Sequence, residues 1–173
     1  MIVGAWRRAP SRAVLSRYSS IVDSQRRARA IFLCEQTGLT PPHELPDFAT
    51  ELLVLGYDSP SLRELAGLPT GDRADAADLW SAVRDELGIR HEEKEEAARF
   101  LLRYLAEETA GQRIDVLAGA RLMYRVGWFQ LGQPSELNEL LYLLILLDEM
   151  PEQRGQTAAE LLAFARDLVD GES

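Results

Sequence analysis

Residues 134–151 read Pro-Ser-Glu-Leu-Asn-Glu-Leu-Leu-Tyr-Leu-Leu-Ile-Leu-Leu-Asp-Glu-Met-Pro. Pro134 and Ser135 supply helix-start chemistry, and Pro151 disfavours helical geometry at the residue before it. The length suits a helix of about four turns, and leucine is a strong helix former. Eight successive apolar residues, Leu140 to Leu147, go fully round a helix, so burial on nearly all sides is expected. A membrane span needs roughly 20 apolar residues, whereas Glu139 and Asp148 close this run. The reading is therefore a buried central helix at about 134–150 with the other segments as its coat. Leu144, at mid-run, should not tolerate a carboxylate.

Working back from it, residues 114–131 are apolar over most of their circumference, with Arg121 and Arg125 as the main polar interruption. Gly119 and Gly127 would let a neighbouring helix approach closely. Residues 92–109 form the clearest amphipathic helix, with Ala97, Phe100, Leu101, Tyr104 and Leu105 on one face. Glu92, Glu93, Glu95 and Glu96 occupy its opening turns, where the helix dipole favours anions, and His91 beside them reads as a cap. A further helix runs through Ala76, Leu79, Trp80, Val83 and Leu87 to Gly88. A hinge is expected near 69–72, at Pro69-Thr70-Gly71-Asp72. Ser59-Pro60 is an N-cap with proline at N1, and Pro46 opens a short helix that Gly56 stops. The first firm helix covers 20–37, with Ile21, Ala28, Ile31, Phe32 and Cys34 inward. Beyond the central run, Thr157-x-x-Glu160 reads as a capping box for a last helix. No segment alternates like a strand. The fold class is all-α, a compact bundle of seven or eight helices.

A chain of 173 residues with 46% apolar and 27% charged residues is an ordinary globular composition. Its formal charge of −9 is uneven. Residues 1–30 hold seven arginines (Arg7, Arg8, Arg12, Arg17, Arg26, Arg27, Arg29) against Asp23, a local +6 that leaves −15 on the remaining 143. Residues 1–19 lack a clean period and are expected to be a basic arm, poorly ordered or holding a short helix, with 20–170 as a single helical domain. An acidic body repels nucleic acid and attracts a basic partner. The only cysteine, Cys34, excludes an internal disulfide framework and reads as a buried, inert thiol. With no secretory pattern and no membrane span, the expected compartment is the cytoplasm.

The phrase Leu55-Gly56-Tyr57-Asp58-Ser59-Pro60-Ser61-Leu62-Arg63-Glu64-Leu65-Ala66-Gly67-Leu68, with Gly119-Ala120-Arg121 through Glu149-x-x-Glu152, resembles an uncharacterised all-helical protein family of high-GC bacteria. The likeness covers about residues 45–155. It implies a setting in bacterial conflict or toxin-immunity neighbourhoods and no established activity. Ala49–Gly67 also resembles the opening of a TetR-type helix-turn-helix. The third helix departs from that pattern: Asp72, Asp75 and Asp78 stand where DNA readers place basic and hydroxyl residues, and acids there oppose phosphate.

Asp148, Glu149 and Glu152 cluster where the central run ends. Paired carboxylates can serve acid–base or metal chemistry. Helical carboxylate metal sites repeat a Glu-x-x-His unit, which is missing here, and the two histidines, His43 and His91, stand apart. Arg121 and Arg125 could instead pair with Asp148 and Glu149. No nucleophile elbow, phosphate loop or dinucleotide fingerprint is present, so no cofactor is expected. Trp6, among the arm's arginines, could anchor a partner or single-stranded nucleic acid. The reading is a non-enzymatic protein-interaction module, an immunity or accessory protein binding a basic partner through Asp148, Glu149, Glu152, Glu92, Glu93 and Glu96. The alternatives are a DNA-binding regulator with a degenerate helix-turn-helix, and an enzyme with an unrecognised helical site.

Overall fold

The computed structural model describes residues 12–69, 73–132 and 134–171. Among these residues there is no strand, and eight α-helices follow one another: α1 (Arg12–Gln36), α2 (Leu45–Val54), α3 (Pro60–Ala66), α4 (Arg73–Leu87), α5 (Lys94–Ala110), α6 (Val116–Gln130), α7 (Asn138–Glu149) and α8 (Arg154–Asp170). The all-α bundle is therefore as expected. Local chemistry sets most boundaries. The Ser59 hydroxyl accepts from the Leu62 N–H at the head of α3. Glu93 caps α5 by accepting from the Glu95 and Glu96 N–H groups, and Asp115 caps α6 at Leu117 and Ala118. Gly56 (φ +93°) and Gly88 (φ +67°) end α2 and α4 in the left-handed region that side chains disfavour.

Two hydrophobic clusters form the interior, and α1 contributes to both. Ala28, Ile31 and Phe32 join Leu45, Ala49, Leu52, Leu62, Leu65, Ala76, Trp80 and Val83 from α2–α4. Ala30 and Leu33 join the larger cluster of α5, α6, α7 and α8. Helix α5 lies at the centre of that second group, packed against α1, α6 and α8, with Ala97, Ala98, Leu101 and Ala106 fully buried. Close approach at α6 follows from its glycines. A Cβ on Gly119 would overlap Thr109, and one on Gly127 would overlap Leu137.

The structure departs from the sequence reading in four places. Helix α7 is not the buried centre. Among the other helices it packs chiefly on α6 and α8, so Leu140, Leu143 and Leu147 are buried while Tyr142 is 60% and Ile145 45% exposed. An apolar run can cover a whole circumference, but only contacting neighbours bury it, and here one side has none among the described residues. Leu144 is half-buried, so its position is less demanding than expected. Thr157 is no N-cap: α8 already starts at Arg154, and the buried Thr157 hydroxyl donates to the Gln153 carbonyl one turn back. His91 caps nothing; Glu93 does. Helix α1 covers Arg12–Gln36, so residues 12–19 are helical and continuous with the first firm helix, not a separate arm, while residues 1–11, with Trp6, Arg7 and Arg8, lie outside the described residues. Residues 70–72 of the expected hinge also lie outside them.

Candidate functional site

Of the acids at 92–96, Glu92 and Glu96 pair with Arg29 of α1 across the bundle, while Glu93 and Glu95 act locally on α5. Glu92 accepts from Arg29 Nε at 2.8 Å and Nη2 at 2.5 Å. Its backbone is gripped by Gln36, whose amide donates to the Glu92 carbonyl and accepts from the Glu92 N–H. Glu96 lies 3.6 Å from the same Arg29, and Glu93 is occupied as the cap of α5. Glu95 pairs with Arg99 one turn on.

The same logic absorbs the basic segment. Arg26 pairs with Glu107, and Arg27 with Glu51. The Arg29 guanidinium lies 4.1 Å from the centre of the Phe100 ring, which stacks on Tyr104 beneath Arg26. The hydrogen bond from Arg26 holds the Glu107 carboxyl below its usual range, with partial burial opposing. Three of the seven N-terminal arginines thus neutralise acids of the body, and the contrast between a basic head and an acidic remainder is in part an internal docking. Arg84, buried on α4, is a second clip. It donates to the Phe32 and Arg90 carbonyls and to Glu35 at 3.2–3.3 Å.

The acids at 148–152 are different. Asp148, Glu149 and Glu152 are all exposed at the exit of α7. Arg121 approaches Asp148 at 3.7 Å in an open pair, while Arg125 instead donates to the Gly38 carbonyl. Among the described residues neither Glu149 nor Glu152 forms an ion pair. The two acidic groups are separated along α6. Gln130, at the end of α6, donates to the Thr37 carbonyl beside the Gln36–Glu92 clasp. Asp148 meets α6 nine residues earlier at Arg121, roughly 13 Å along a helix axis.

Helix periodicity aligns Asn138, Tyr142, Ile145 and Glu149 along the outward ridge of α7. Tyr142 and Ile145 form its apolar middle, and Met150 is 39% exposed at its end. On the flank facing α6, a small pocket of about 70 Å³ opens in the seam, bounded by Tyr124, Trp128, Pro134, Asn138 and Leu141. The Tyr124 and Trp128 rings lie 5.4 Å apart, tilted at 37°. The length of the apolar run hid this ridge from sequence reading. Its signal was Tyr142, the one aromatic inside the run, with acids at both ends.

Other candidates separate. A cavity of about 360 Å³ at the head of α5 is lined by Leu102, Leu131 and Leu137 with Glu93, Glu95 and Arg99. Cys34 is partly buried, and desolvation pushes its thiol up to about 12, which makes it a poor nucleophile. Among the described residues no three His, Cys, Asp or Glu side chains gather as a metal site, and no helix is long and apolar enough to cross a membrane. In the α2–α4 trio, Leu52, Leu62 and Leu65 are fully buried, whereas Asp75 and Asp78 are exposed on α4; Asp72 lies outside the described residues. No family model, curated protein or solved structure matches the chain.

Proposed function

We propose that the chain is a non-enzymatic interaction module that binds a basic protein partner through the outer ridge of α7 and the acids at its exit. The observation that carries this reading is the exposure of Tyr142 (60%) and Ile145 (45%) in register with Glu149 and beside Asp148 and Glu152. Exposed apolar side chains grouped on one helix face and rimmed by charge are the surface pattern of a docking site. The free carboxylates select the sign of the partner. A second copy docking through the same ridge would bring like charges together at the acidic end when parallel. Masking a basic protein is the task of an immunity or accessory factor, and that setting suits the reading. The helix-turn-helix alternative loses support from Asp75 and Asp78, exposed on α4 where phosphate would have to approach.

The test uses a synthetic amphipathic helical peptide of lysine and leucine and its glutamate counterpart, titrated by calorimetry between 0.01 and 0.1 M salt. The Debye length shrinks from about 30 Å to about 10 Å across that range. The lysine peptide should bind, more weakly as salt rises. Asp148→Asn/Glu149→Gln/Glu152→Gln should cost about tenfold in affinity, the size of a lost charged contact set. Asp75→Asn/Asp78→Asn/Asp85→Asn removes the same charge from α4 and should leave affinity unchanged. Equal losses in the two triple variants would mean general charge attraction, and the reading would fall.

A further inference from the structure

We infer that the pocket between α6 and α7 is the anchor point of that interface, and that it takes one aliphatic side chain from a basic amphipathic helix. This rests on the proposed docking ridge and adds the register in which a partner sits. The pocket is bounded by Tyr124, Trp128 and Leu141, all half-buried, with Pro134 closing one end and the exposed Asn138 at its lip. Its volume of about 70 Å³ suits a single branched side chain, not a small-molecule ligand, whose sites run to several hundred Å³. Interface energy concentrates where one apolar side chain fills an aromatic-lined pocket beside contacts that exclude water. The pocket adjoins the Tyr142–Ile145 ridge, since Leu141 and Ile145 are one turn apart on α7.

The occupant is helical because the surface is a helix seam with no sheet edge to extend among the described residues. Its charge follows from spacing. Leu141 and Asp148 stand at i and i+7 on α7, which places a carboxylate roughly 10 Å along the axis from the pocket, and Glu152 follows in the turn just beyond the helix end at Glu149. A helix lying along α7 and running past its end matches this with an aliphatic anchor, a basic residue seven positions away opposite Asp148 and a second one turn further on toward Glu152, all on one face of its own. Like acids oppose a self-match in either direction, since the exposed Glu136 and Glu139 stand at the other end of the ridge, so the occupant is a different chain.

The experiment uses two synthetic helical peptides of identical composition. In the matched peptide, leucine stands seven and eleven residues from two lysines; in the shifted one, the lysines are moved to two and five residues from it. Each is made in both chain directions. Affinity is read by calorimetry, and the site by the Trp128 indole N–H cross-peak in a ¹⁵N spectrum. The matched peptide should bind at least about tenfold more tightly than the shifted one and move the Trp128 resonance, as expected for a hot-spot contact. Replacing its anchor leucine by alanine should remove that advantage. Asn138→Trp, which plugs the lip from an exposed position, should reduce the matched peptide to the affinity of the alanine peptide and leave the alanine peptide unaffected. If both registers bind equally, with Trp128 silent and binding still dependent on Asp148, Glu149 and Glu152, the anchor is overturned and the acidic docking ridge stands. If no peptide binds in a manner dependent on those acids, both are overturned.

Discussion

Arg29 and Glu92, sixty-three residues apart, meet in a two-pronged pair at 2.8 and 2.5 Å while the same guanidinium lies 4.1 Å from the Phe100 ring centre. One side chain thus joins α1 both to the loop before α5 and to α5 itself. Because α1 feeds both hydrophobic clusters, this contact also fixes how the α2–α4 group is joined to the rest. Arg29→Met should cost about 1–2 kcal/mol in urea unfolding, for a half-exposed bidentate pair plus a cation–π contact. Arg29→Lys should recover only part of that, since an ammonium cannot form the fork. A Met variant as stable as wild type would show that α1 is held by burial alone.

The two helix glycines of α6 should rank clearly. At Gly119 an added Cβ meets the Thr109 hydroxyl, with the Thr109 Cβ and Ile114 also close, and Thr109 is fully buried and bonded to the Leu105 carbonyl. At Gly127 the obstacle is the tip of the Leu137 side chain, which can turn aside. Gly119→Ala should destabilise by about 1–3 kcal/mol and Gly127→Ala by less, measured as shifts in urea midpoint. The reverse order would mean that Thr109 swings away more easily than Leu137.

On α7 the cost of a charge should follow the face. Leu140→Asp places a carboxylate where the side chain is fully buried, at a penalty of several kcal/mol that competes with the roughly 5–15 kcal/mol of a whole domain. That variant should not fold. Ile145→Asp, on the exposed ridge, should melt within about 0.5 kcal/mol of wild type, and Leu144→Asp should fall between them. A misfolded Ile145→Asp would show that the ridge is covered in the folded protein.

The Arg26–Glu107 pair makes stability depend on acid. The Glu107 carboxyl is held below its ordinary value of 4.5, chiefly by the hydrogen bond from Arg26. A depressed carboxyl contributes fully above its unfolded value and loses that contribution as pH falls through its folded value. Glu107→Gln should therefore be about 1 kcal/mol less stable than wild type at pH 7, with the gap closing below about pH 4. Thermal melts across pH 2–7 for both proteins decide it, and a gap that persists at pH 2 would mean the loss is one of packing.

The helices, and most of their ends, were legible in the chain because those signals are local: Ser59 before Pro60, Gly56 and Gly88 after apolar runs, and acids opening α5 act within one turn of the residues they punctuate. Which acids remain free is not a local property. Glu92 and Glu149 look alike in sequence, and only the antiparallel docking of α1 on α5 occupies the first and leaves the second in solvent. The same holds for the apolar run of α7. Eight consecutive apolar residues fixed a helix, but its position chiefly against α6 and α8, at the edge of the bundle, decided that Leu140 is core and Tyr142 is surface. Helix formation is set by short-range backbone and side-chain preferences, whereas burial and charge pairing depend on neighbours supplied from elsewhere in the chain, and those exist only once the tertiary structure has formed.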